Sequence, residues 1–98
     1  MLEELDLYPF TKLFKLKEDH ETLGQAGTLF VIRDTVISLE TGVSNLLFGE
    51  VVVEDEERVS VSFGKCTVDK RFVETFFDVV DGETFHQYQD RIESKYLR

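Results

Sequence analysis

Apolar residues recur along the chain first with period two and later with a helical period. In Phe10-Thr11-Lys12-Leu13-Phe14-Lys15-Leu16-Lys17 the alternation places Phe10, Phe14 and Leu16 on one face and Lys15 and Lys17 on the other. That pattern predicts a half-buried strand. The polar run Glu18–Thr22 reads as a loop, and Gly24 and Gly27 punctuate the stretch after it. Thr28-Leu29-Phe30-Val31-Ile32 is apolar on both faces and predicts a central strand. Arg33-Asp34-Thr35 then reads as a tight turn with Val36–Leu39 returning; the alternative is one long bent strand. Glu50–Glu54 and Arg58–Phe63 form the clearest hairpin, with Val59, Val61 and Phe63 facing in and Ser60 and Ser62 facing out.

From Asp69 the period changes. Phe72, Val73, Phe76, Phe77 and Val80 recur at helical spacing behind an Asp69 N-cap. The competing reading is a short helical turn over 69–74 and a closing strand over 76–80, and Asp81-Gly82 ends either one. Thr84 and Gln87 have the spacing of a capping box, and Phe85, Tyr88, Ile92 and Tyr96 make one apolar stripe behind it. These signals predict an amphipathic helix over 83–97. Ahead of everything, Pro9 sets off Leu2–Leu7 as a lead-in of about one helical turn. The expected organisation is one domain over 1–98, with a lead-in (1–9), a β-rich body (10–80) and the C-terminal helix.

The succession Gly27–Ile32, Val36–Leu39, an acidic hairpin and Phe72-Val73-Glu74-Thr75-Phe76-Phe77-Asp78-Val79-Val80 resembles small SH3-like barrel proteins of phages and prophages over residues 10–80. Those proteins often close the barrel with a segment of the type F-x-x-x-F-x-x-V. The resemblance implies a small bacterial or phage interaction module and carries over no catalytic or binding residue. The predicted fold class is α+β: a small twisted antiparallel sheet with a C-terminal amphipathic helix. The sheet is either closed as an SH3-like barrel or open, with the helix across one face.

Charge narrows the function. Twenty acids against eleven bases give a net charge of -9. A field of that sign repels nucleic acid and anionic lipid, so neither a nucleic-acid nor a membrane partner is expected. A basic protein surface, such as that of a nucleic-acid-binding protein, is the partner it favours. Residues 21–57 hold eight acids against Arg33 alone, a local charge of -7. Glu54-Asp55-Glu56-Glu57 sits where the hairpin turns. Its bland reading is a solvated loop that protects a sheet edge; its functional reading is a docking surface formed by Glu50, Glu54, Asp55, Glu56 and Glu57.

Candidate chemistry is sparse. His20, His86 and Cys66 are remote from one another and form no local ligand pair, so no metal is expected. Lys65 beside Cys66 would lower a thiol pKa, but the better reading is a packed cysteine. Asp78, Asp81 and Glu83 surround Gly82 without the spacing of a calcium loop. Lys65, Lys70 and Arg71, near Phe63 and Phe72, read as ion-pair partners rather than a nucleic-acid patch. No phosphate loop is present, and no cofactor is expected. A lone cysteine, an acidic start and the absence of an 18-residue apolar run point to a reduced, cytoplasmic protein. The expectation is a non-enzymatic acidic binding module that modulates or inhibits its partner. The alternative is a structural subunit that forms a homo-oligomer through a sheet edge or through the stripe of Phe85, Tyr88, Ile92 and Tyr96.

Overall fold

Leu29-Phe30-Val31-Ile32 takes the centre of the sheet, as a run apolar on both faces requires. The computed structural model describes residues 7–38, 40, 42–62 and 66–94. In chain order the elements are β1 (Lys12–Leu16), β2 (Leu29–Ser38), β3 (Gly42–Glu54), β4 (Arg58–Val61), β5 (Cys66–Val68), α1 (Lys70–Phe76), β6 (Phe77–Thr84) and α2 (Phe85–Glu93). The class is α+β, with a six-stranded antiparallel sheet in the order β4-β3-β2-β1-β6 and with β5 also paired to β3.

Strand alternation divides the apolar side chains between the two faces of the sheet. Phe14, Leu16, Phe30, Ile32, Leu46, Phe48 and Phe77 form one core, which α1 covers with Val73, Phe72 and Phe76. Leu13, Val31, Val51 and Val59 form a second core with Phe85, and Tyr88 and Ile92 of α2 pack against it. Both helices start where the sequence signals. Asp69 Oδ1 accepts from Phe72 N at 2.8 Å. Thr84 and Gln87 complete a reciprocal capping box.

Several expectations are corrected. Of the two readings of residues 28–39, the one long bent strand is found and the turn at Arg33–Thr35 is not: β2 pairs with β3 down to Ser38↔Gly42, with a register shift between Ile32 and Asp34. A bulge bends the strand there without reversing it, because the long ladder outweighs a local turn signal. Phe10 does not share a face with Phe14 and Leu16. It precedes β1 with φ +56°, and its ring packs 5.8 Å from Phe85 in the second core. Nor is the lead-in wholly separate, since Leu7 is buried in the first core. Of the two readings of residues 69–80, the helical turn followed by a strand is found and the single helix is not: α1 runs to Phe76 and β6 begins at Phe77. Gly82, at φ +83°, sits inside β6 and not beyond its end, and a register shift opposite Lys12–Phe14 absorbs it.

Of the two sheet arrangements, the open one is found. The described strand path ends at β4 and β6, which do not pair with each other. Side chains of α2 fill the space between them where a barrel would have ladder bonds. No described helix is long and apolar enough to cross a membrane.

Candidate functional site

The β3–β4 hairpin is rich in valine, with Val51, Val52 and Val53 on β3 and Val59 and Val61 on β4. Val51 and Val59 are buried under α2, and the pairing Val51↔Val61, Val52↔Ser60, Val53↔Val59, Glu54↔Arg58 runs without a shift to the turn. β-branched residues suit such a pleated, half-buried ribbon. The hairpin is therefore fixed at its base, and Glu54, Asp55, Glu56 and Glu57 are carried outward, all four exposed. Glu57 N donates to Glu54 O at 3.1 Å, which closes the turn.

Among the described residues these four carboxylates enter no ion pair. Among the described residues their one side-chain hydrogen bond is from Ser60 Oγ to Glu54 Oε1 at 3.3 Å. Glu50 stands apart from them. It is half-buried on the body of β3 opposite Phe30, and its N–H donates to Ser62 Oγ at 2.9 Å. It shares a face with Glu54, four positions and about 13 Å away. The five predicted docking residues thus divide into a cluster of four and one distant member.

The turn itself is strained. Asp55 and Glu56 have φ of +52° and +61°, the sign pattern of a type I′ turn. Aspartate tolerates this region; glutamate at the second position costs about 1–2 kcal/mol. Glu56→Gly is therefore expected to raise stability by about 1 kcal/mol and the melting temperature by roughly 4–8 °C. Thermal unfolding by circular dichroism checks this, and an unchanged or lower midpoint contradicts it.

Several of the other candidates are engaged in structural contacts. His20 Nδ1 accepts from Thr22 N at 3.1 Å and Leu23 N at 3.3 Å, and the ring meets the edges of Phe72 and Phe76. It closes a loop. Asp78 lies 3.9 Å from Lys17 Nζ. Glu83 takes a two-bond grip from Arg91: Nε to Oε2 at 2.8 Å and Nη2 to Oε1 at 3.2 Å. Asp78, Asp81 and Glu83 therefore do not converge, and among the described residues no three His, Cys, Asp or Glu side chains form a metal-binding group. Phe63, Lys65 and Tyr96 fall outside the described residues. Phe85, Tyr88 and Ile92 pack on the sheet of their own chain.

The hydrogen bonds from Arg91 hold the Glu83 carboxyl below its ordinary range against a smaller opposing effect of burial, and the Arg91 charge adds to the lowering. A carboxylate depressed on folding stabilises the fold above its unfolded pKa, and that contribution is lost as pH falls through the folded value. Glu83→Gln should therefore be less stable than the native chain near neutrality. The difference should shrink below about pH 4. Urea midpoints measured across that range test it, and a gap that widens in acid contradicts it.

Two contacts had no local signal in the sequence. Arg33 Nη1 donates to Val61 O at 3.0 Å and Ser62 O at 3.2 Å. Glu93 Oε2 accepts from Val59 N at 3.0 Å. Fold and site together define an open α+β sheet that presents a rigidly registered acidic turn. No family model, no curated protein and no solved structure matches the chain.

Proposed function

We propose that the protein is a non-enzymatic acidic binding module. It docks through Glu54, Asp55, Glu56 and Glu57, with Glu50 as an outlying contact, on a basic surface of a partner protein and modulates or inhibits that partner. The observation that carries this reading is that four adjacent carboxylates stand exposed on a fixed two-stranded arm without an ion-pair partner among the described residues. Such a cluster raises its own electrostatic energy, and an approaching cationic surface relieves it. A phage-encoded interaction module belongs to the same proposal, on an open sheet and not an SH3-like barrel. It is supported by the segment Phe72–Val80, which brings the last strand back beside the first. A cytoplasmic setting, where basic nucleic-acid-binding proteins abound, suits it.

The test compares the native chain with a variant in which Glu54–Glu57 are serines, each immobilised and exposed to cell lysate. Proteins held by the native chain at low salt should elute as ionic strength rises and should not be held by the variant. Equal retention on both supports refutes the reading.

A further inference from the structure

The loop between β1 and β2 meets the body of the protein through two side chains. From Lys17 to Gly27 every residue is exposed except His20 and Leu23. Leu23 is buried in the first core. The His20 ring stands against Phe72 and Phe76 of α1, with centroids 6.0 and 5.8 Å away. The same ring holds the turn together from inside, because its Nδ1 accepts from both Thr22 N and Leu23 N. A nitrogen that accepts N–H bonds carries no proton, so the closed loop needs the neutral ring with its hydrogen on Nε2. Asparagine, aspartate or serine is the ordinary acceptor in such a turn, and each keeps its lone pairs across the neutral range. Histidine is the side chain that ordinarily changes charge between about pH 8 and pH 5.

We infer that this loop is an acid-released latch: a proton taken up at His20 Nδ1 breaks the bonds from Thr22 and Leu23, turns the ring off α1 and lets Leu23 leave the first core. The closed loop offers the charged ring no substitute. The charged residues of α1 are Lys70, Arg71 and Glu74, and the carboxylate of its cap, Asp69, already accepts from Phe72 N. Glu18, Asp19 and Glu21 share the loop, and Asp19 accepts from Ala26 N at 2.8 Å. At the root of the loop Lys17 Nζ donates to Glu74 O and lies 3.9 Å from Asp78. Among the described residues no carboxylate pairs with His20. An imidazolium in the closed loop therefore loses two hydrogen bonds and gains no partner, whereas in the released loop it is solvated among three acidic neighbours. The bonds from Ala26 N to Asp19 and from Gly27 N to Leu16 O involve no imidazole, so the base of the loop stays in place and the tip opens. The inference is independent of the docking function, because it uses no residue of the β3–β4 turn.

The experiment is a pH titration of the isotopically labelled native chain by NMR, which reads the ring and the backbone in one sample. At about pH 8 the His20 ring should carry its proton on Nε2. As the ring takes up its second proton, the amides of Thr22 and Leu23 should lose protection against hydrogen exchange. The loss should reach at least about tenfold by about pH 5, after correction for the intrinsic pH dependence of exchange. The amides of Leu16, bonded to Thr28 O, and of Ala26, bonded to Asp19, should keep theirs, which separates release of the tip from unfolding. His20→Asn sets an amide oxygen in the place of Nδ1 and does not titrate, so Thr22 and Leu23 should stay protected throughout. A proton on Nδ1 at about pH 8 overturns the proposal. So do Thr22 and Leu23 amides that stay protected once the ring is charged, and so does an equal loss in His20→Asn. Should His20→Asn fail to fold, the native titration decides alone, because a loss of protection that does not follow the titration of the ring is the same disproof.

Discussion

Truncating Phe48 to alanine is expected to lower stability by about 4 kcal/mol. The ring is fully enclosed, with neighbouring ring centroids at 5.3 Å (Phe14), 6.1 Å (Phe30) and 5.1 Å (Phe77). These rings come from β1, β2 and β6, so the cavity would open where three other strands meet. Backbone ladders hold the surrounding strands in place and limit how far they can collapse into the space. Aromatic pairs of this kind also contribute beyond their area. Urea unfolding should show a lower midpoint with an unchanged slope. A loss below about 1 kcal/mol would mean that the site collapses freely, contrary to the packing described.

The neighbouring position is expected to fail for the opposite reason. Gly49→Ala should destabilise by about 2–3 kcal/mol, although it adds a single methyl. A Cβ at this point would lie 2.5 Å from Ser62 O, 2.5 Å from Val61 Cγ1 and 2.8 Å from Arg33 Cδ. Arg33 crosses β3 over this bare position to reach the carbonyls of Val61 and Ser62. The side chain of Arg33 could shift, but the Ser62 carbonyl is backbone. The strain would therefore fall on the end of β4, and with it on the position of the acidic arm. The expected signature is a melting temperature lower by roughly 8–20 °C, measured by circular dichroism. A change of less than about 2 °C would show that β4 yields without cost. Consecutive residues of β3 thus carry the largest aromatic demand on one face and no side chain at all on the other.

The sequence was most informative where one local pattern dominated. The central run Leu29–Ile32, the valine ribbon, the Asp69 cap and the capping box at Thr84 each rest on a few neighbouring residues, and each is found where the pattern places it. The exposure of Glu54–Glu57 was legible for the same reason. Errors arose where distant pairing overrode a local signal. Arg33-Asp34-Thr35 has turn chemistry, yet β3 continues to pair beyond it. Phe10 fits the alternation of β1 but stands outside the strand, with a backbone conformation that reverses its side. Leu46-Leu47-Phe48 shows no alternation of its own and takes its strand role only between β2 and β5. The grip of Glu93 on Val59 spans 34 residues, and no periodicity encodes it.

The same grip has a temporal consequence. Val59 and Val61 are synthesised well before Glu93, and about 30 residues take roughly 1.5–6 s to add at ordinary translation rates. Through that interval a nascent chain has its valine ribbon but not the residue that caps it. Until Glu93 is in place the Val59 N–H has no acceptor from α2.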